Sequence, residues 1–179
     1  MRRIVRLTHR YLSFFISIQL LLWTVSGIYF AFNKIEEVRG EQYRLENNFS
    51  ADLSKINFSL DNATNIKIFD RLGEQIIFAN VGKNKYLNID GIEVAKIGPD
   101  DSMKIVEQST TLKPIESIEI NKNQIGSEYR GRPLPLYKVL AENDQQEKIN
   151  AYVNPYSGEI VAIRSDQWRS CLLYTSDAA

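Results

Sequence analysis

The stretch Tyr11–Phe32, YLSFFISIQLLLWTVSGIYFAF, limits what this chain can become more than any other part of it. It runs about 22 residues without a charged side chain. At 1.5 Å per residue a helix of that length covers roughly 33 Å, enough for a hydrocarbon core of about 30 Å. A buried helix in a soluble domain is shorter and carries a polar side. Here the polar residues are Ser13, Ser17, Gln19, Thr24 and Ser26. Serine and threonine can return their hydroxyls to the helix backbone at small cost in lipid. The Gln19 amide needs a partner and is expected to face protein. Ser13 and Ser17, and Gly27 and Ala31, are four apart, a spacing that allows close helix approach and that also arises by chance. Ser13, Ser17, Gln19 and Gly27 are therefore the candidate helix-packing residues.

The flanks set the orientation. Arg2, Arg3, Arg6 and Arg10 precede the helix with no acid among them, while Lys34, Glu36, Glu37 and Arg39 after it cancel. Excess positive charge stays cytoplasmic, so the N-terminus reads as inside and the remainder as exported. A cleaved signal peptide would have an apolar region of about 7–15 residues, and Val25 and Gly27 offer a weak cleavage site. The longer run favours an uncleaved signal anchor. His9, at the membrane edge, is a candidate haem ligand in one reading and an interfacial polar residue in the other.

Beyond Phe32 lie all 22 acids but only 18 of the 22 Lys and Arg. A mildly acidic exported part argues against nucleic acid as a partner. One Cys and one His leave no internal disulfide and no Cys/His zinc site within a single chain. No nucleophile lies beside a base and no glycine-rich phosphate loop occurs, so the expectation is a non-catalytic protein without metal or cofactor.

Residues 1–10 read as a cytoplasmic basic leader, 11–32 as the transmembrane helix and 33–64 as a polar juxtamembrane connector with a helical start at Lys34–Arg39. Asn48, Asn57 and Asn62 begin glycosylation-type triplets. From Asn65 the period changes to two, and residues 65–98 read as an antiparallel meander with turns at Asp70–Gly73, Asn80–Asn84 and Asp90-Gly91. A short helix opens at Pro99–Ser102 with Asp100 as its expected N-cap and Met103 and Val106 on one face. A strand through Ile115, Ile118 and Ile120 follows, with a turn at Gly126. The segment Tyr129–Tyr137 combines arginines, tyrosines and two prolines. It reads either as a recognition surface, with Tyr129, Arg130, Arg132 and Tyr137 as partner-binding residues, or as an edge strand protected by proline. Lys148–Val153 and Glu159–Ile163 form a hairpin around Asn154-Pro-Tyr-Ser-Gly158. The expected class is α+β: one N-terminal transmembrane helix, then an exported antiparallel-sheet domain with a short helix.

The hairpin AYVNPYSGEIVAI is similar to the end of a PepSY domain, and RLTHRYLSFFISIQLLLWTVSGIYFAF resembles the first helix of PepSY-associated membrane proteins. The resemblance covers Arg6–Phe32 and about Asp100–Arg169. It implies a small α+β unit over residues 99–169 that binds or restrains a protein or peptide partner on the outer side of a bacterial cytoplasmic membrane. The membrane-associated branch also implies an alternative, a fragment of a ferric-reductase-like iron-uptake component holding haem. There Trp168-Arg169 would lead into a further membrane segment. Ser170–Ala179 resembles translated sequencing-adapter read-through, so the expectation is that the native chain continues past Arg169 and that Cys171 is not native.

Overall fold

A computed structural model describes residues 2–32, 39–46, 49–124, 127–129 and 131–169. The chain divides into two units, an N-terminal helix within Met1–Glu37 and a domain within Val38–Ala179. The fold is α+β: an apolar helix, two antiparallel sheets and a short helix.

Helix α1 runs Arg2–Phe32, so the arginine-rich leader continues the helix rather than preceding it. Arginine is a good helix former, and nothing in the first ten residues breaks the run. The helix is long and apolar enough to span a membrane. Phe14, Phe15, Leu20 and Trp23, spread around it at about 100° per residue, are all exposed. Ser17, Thr24 and Ser26 donate their hydroxyls to the carbonyls of Ser13, Leu20 and Trp23 at 2.8–2.9 Å. These polar groups are thus satisfied within the helix itself.

The first sheet is a meander of β1 (Asn65–Arg71), β2 (Glu74–Asn80) and β3 (Asn84–Leu87) in the order β1-β2-β3. Leu72 and Gly73 make the two-residue turn between β1 and β2, both with positive φ, the geometry that matches strand twist. The central strand buries Ile76, Ile77 and Ala79, and β3 adds Leu87. After β3 the chain makes only a single bridge, Leu87 to Glu93, so Ile92, Val94 and Ile97 do not continue the meander as a strand.

Helix α2 (Pro99–Ser109) is capped by Gly98, not by Asp100, with Pro99 at the first helical position. Proline has no N–H to satisfy there and its φ already suits a helix, which fixes the start two residues earlier than an Asp100 cap would. Asp100 and Asp101 fall in the first turn beside the positive end of the dipole. Ser102, Ile105 and Val106 form the buried face, and the two apolar side chains stabilise the domain by about 1.5–3 kcal/mol each.

The second sheet joins β4 (Lys113–Ile120), β5 (Leu136–Glu142), β6 (Lys148–Val153) and β7 (Ile160–Arg164) in chain order. Strand β5, central in the sheet, is not anticipated by the sequence reading. Residues of β6 alternate strictly. Ile149, Ala151 and Val153 join the core under α2, while Tyr152 belongs to a second cluster on the opposite face with Tyr129, Leu136 and Ala162. Tyr129 and Leu134, from the segment between β4 and β5, pack on that second face. A single turn, α3 (Asp166–Trp168), follows β7.

The described parts of 33–64 are docked rather than free. The Leu45 N–H donates to Ser109 O at 3.0 Å and the Thr111 N–H to Tyr43 O at 2.9 Å. Further along, the Asp52 N–H and carbonyl both bond the Gln75 side-chain amide, and the Asn57 N–H donates to Ile89 O. The expected helical start at Lys34–Arg39 lies outside the described residues apart from Arg39, as do Asn48, Gly126, Arg130 and Ser170–Ala179.

Candidate functional site

The turn Asn154–Gly158 is the junction of the domain. Its Asn154 Oδ1 accepts the Tyr156 N–H at 2.9 Å and the Ser157 N–H at 3.3 Å, the local bonding that makes asparagine a turn former. Gly158 closes the turn at φ +73°, and a Cβ there would lie 3.1 Å from Arg71 Cγ. The turn is buried, which is unusual for a hairpin tip, and its polar groups are met from the first sheet and from the link that follows β3. Asn154 Nδ2 donates to the Tyr86 hydroxyl at 3.0 Å. The Tyr156 carbonyl accepts from Arg71 Nη1 at 3.1 Å, and Pro155 O accepts from the Ile97 N–H at 2.9 Å. The Arg71 side chain is nearly buried. It also donates to Ala95 O and pairs with Glu74 at 2.8 Å, so one guanidinium holds β1, β2 and the turn together.

Beside this junction opens a cleft of about 330 Å³. One wall is β3 with Asn84, Lys85 and Tyr86, continued by Glu93 and Val94. The other is Pro133-Leu134-Pro135, and Asn154 and Tyr156 lie between the two. The Tyr86 and Tyr156 rings are stacked, with centroids 5.3 Å apart and planes within 16°. Phe78 adds a third ring against Tyr86 at 5.2 Å. Lys85 and Glu93 face each other at 3.6 Å. Strand β3 is the edge of its sheet, and Tyr86 turns its carbonyl outward to the Val94 N–H at 2.9 Å. Backbone direction alternates along a strand, so Asn84 also turns its N–H and C=O outward, toward the open part of the cleft. The cleft thus offers aromatic faces, prolines, one pair of opposite charges and free backbone groups.

The expected partner-binding residues do not come together here. Tyr129 is only 4% exposed and Tyr137 only 2%, so neither can meet a partner. The Tyr129 hydroxyl donates to Lys122 O at 2.9 Å and its ring packs on Tyr152, while the Tyr137 hydroxyl donates to Ile97 O at 2.9 Å. Both tyrosines are corrected from recognition to structural residues. An aromatic body with a hydroxyl tip suits a half-polar core as well as a surface, and here the core takes it. Arg132 is exposed, and Arg130 lies outside the described residues. What remains of the predicted recognition segment is Pro133–Pro135, which walls the cleft.

A second polar cluster surrounds Glu128. Its carboxylate accepts from Asn150 Nδ2 and the Tyr152 hydroxyl, each at 2.8 Å, and pairs with Arg169. Burial pushes the Glu128 pKa up, but the bonds from Asn150, Arg169 and Tyr152 outweigh it and leave the value below the ordinary one. Burial and the adjacent carboxylate together push the Tyr152 hydroxyl well above the usual tyrosine range. Glu128 is therefore a charged clamp between the covering segment, β6 and the residue after α3.

On α1, His9 lies with its Nδ1 3.4 Å from Ser13 Oγ, and Ser13, Ser17, Gln19 and Gly27 are all exposed. At about 100° per residue, His9, Ser13, Ser17 and Gly27 share one side of the helix and Gln19 falls on another. Among the described residues no three His, Cys, Asp or Glu are grouped as a metal would need. Tyr86, Asn154, Tyr156, Arg71 and Glu128 were not singled out by sequence. The Asn-Pro-x-Ser-Gly turn was the one available signal, and it marks a turn without showing that the turn is buried. Comparison with models of protein families, with curated proteins and with solved structures gives no match.

Proposed function

We propose that the chain is a membrane-anchored, non-catalytic binding module, PepSY-like in its second sheet, whose cleft takes an extended segment of a partner protein or peptide. The observation that carries the reading is the cleft itself. A free backbone edge at Asn84 lies beside stacked tyrosines and a proline wall, so an added strand gains main-chain hydrogen bonds while its side chains meet apolar surface. The order of α2 followed by β4–β7 agrees with the α+β unit that the resemblance implies.

Helix α1 is the anchor, and an apolar surface on all its sides suits lipid. The arginines at its start favour a cytoplasmic N-terminus and an extracytoplasmic domain in a bacterial inner membrane.

Two measurements test this. Reporter fusions to the domain should be active only in a form that works outside the cytoplasm; activity of a cytoplasm-only reporter would overturn the orientation. A displayed random peptide library, selected on the full chain in nanodiscs, should enrich a shared motif. Asn84→Pro, which removes an outward N–H, and Tyr156→Ala should abolish that enrichment. Enrichment indifferent to both changes would show that the cleft is not the binding site.

A further inference from the structure

The face formed by the end of β7, α3 and the segment covering the back of the second sheet carries a cluster of arginines. The Arg164 guanidinium donates to Glu128 O at 3.2 Å and to Ile163 O at 2.8 Å, and its carbon sits 4.5 Å from the centre of the Trp168 ring. Arg39 is brought to the same end of β7, because Gly40 lies so close to Ile163 that a Cβ there would be 2.8 Å from Ile163 Cγ2. Arg132 enters from the covering segment, with its N–H on Tyr129 O at 3.0 Å. The Arg164 pKa is lowered, first by burial and then by Arg132, with Arg39 adding to the effect against Glu128 and Tyr152. Both neighbouring arginines are therefore near enough to be felt.

The acids on this face are already engaged: Glu128 and Asp166 both pair with Arg169. Among the described residues neither Arg39 nor Arg132 has an acidic partner, and both are exposed. Among the described residues the face thus holds arginines without acidic partners beside a half-buried tryptophan. Among the described residues, four arginines meet there (Arg39, Arg132, Arg164 and Arg169) with the carboxylates of Glu128 and Asp166. This occurs in a domain that is otherwise mildly acidic.

Arg39 is also seven residues past Phe32, the last residue of α1. Seven residues of extended chain reach at most about 25 Å. In an anchored protein Arg39 is therefore held within reach of the headgroup layer. Tryptophan is enriched at that layer, and arginine is attracted to anionic headgroups there.

We propose that Arg39, Arg132 and Arg164, with Trp168, form a surface that binds the phosphates of anionic phospholipid headgroups and holds the domain down on the membrane. This rests on the reading of α1 as a membrane anchor. Each surface arginine adds attraction to an anionic leaflet that falls off within a Debye length, so the contact weakens with salt.

Trp168 supplies the test, because the chain has two tryptophans and Trp23→Phe leaves it alone. The full chain carrying Trp23→Phe is placed in vesicles of phosphatidylcholine, or of phosphatidylcholine with about one third phosphatidylglycerol, each doped with a headgroup-spin-labelled lipid. Quenching of Trp168 should be stronger in the anionic vesicles and should fall to the neutral level at high salt or with Arg39→Gln and Arg132→Gln together. Both arginines are exposed, so the pair of changes leaves the fold intact, and an unchanged thermal unfolding midpoint verifies that.

Equal quenching in the two vesicle types, or quenching indifferent to the double change, overturns the proposal. The same holds if inorganic phosphate added to neutral vesicles alters Trp168 as the anionic lipid does, since the site would then be one for free anions. Failure of the chain to float with any vesicle would overturn the anchor reading and this inference together. Flotation without charge dependence overturns this inference alone.

Discussion

Asn154 Nδ2 donates to the Tyr86 hydroxyl across 3.0 Å, from the last hairpin turn of one sheet to the edge strand of the other. The same side chain bonds two backbone N–H groups of its own turn. Asn154→Ala leaves these buried groups unmet and should cost about 1–3 kcal/mol. Chemical denaturation of the full chain measures it, and a loss below about 0.5 kcal/mol, the scatter of ordinary surface changes, would show that the turn does not join the sheets.

Glu128 accepts three side-chain bonds at a half-buried site, and its folded pKa lies below the ordinary 4.5. A depressed carboxylate stabilises fully above its unfolded value, and that contribution is lost as pH falls through the folded value. Glu128→Gln keeps the shape but loses the charge that meets Arg169, so stability at neutral pH should drop by about 1–3 kcal/mol. The gap between wild type and variant should shrink as pH falls below about 4.5. A gap constant with pH would mean that the clamp does not depend on charge.

Gly158 sits at φ +73°, and an added Cβ would press on Arg71 Cγ at 3.1 Å and Ile105 Cδ1 at 3.2 Å. Gly158→Ala combines backbone strain with crowding and should destabilise by more than about 1 kcal/mol. Gly73, also at positive φ, has nothing within 4 Å of the same built atom. Gly73→Ala should therefore cost less than Gly158→Ala in the same thermal melts, and a reversed order would contradict the packing described for the turn.

Tyr137 and Arg132 separate structure from surface within one predicted segment. Tyr137→Phe removes the hydrogen bond to Ile97 O and should cost about 1 kcal/mol with no effect on peptide capture. Arg132→Ala touches no ion pair among the described residues and should leave unfolding within about 0.5 kcal/mol of wild type. The opposite pattern would restore Tyr137 as a surface residue.

The parts of the fold that were legible in sequence are those written in local chemistry. An uncharged run of helix length marks α1, and positive-φ turn residues punctuate β1 from β2 and β6 from β7. The start of α2 was misplaced because Asp100 and Pro99 both signal a helix beginning, and only geometry decides which occupies it. Strand β5 was missed because Leu136–Glu142 follows two prolines and contains residues that suit a helix as well as a strand. Residues 39–64 read as a polar connector, since their docking rests on backbone bonds that leave no periodicity in side chains. The cleft was half visible. Pro133 and Pro135 mark one wall in the sequence, whereas Tyr86 and Asn154 are 68 residues apart and nothing local says that they meet.

In both sheets every strand pairs with its immediate neighbour in the chain. No strand must wait for a partner beyond its neighbour in the chain, so the search for register stays local. A chain delivered N-terminus first would complete β1–β3 before β4 appears, then add β4 to β7 one hairpin at a time. The Asn154–Gly158 turn comes near the end of that sequence, and it is the element that fastens to Tyr86 and Arg71. Assembly of the domain is thus finished by its last hairpin, and until that hairpin arrives the earlier sheet stands without its clasp.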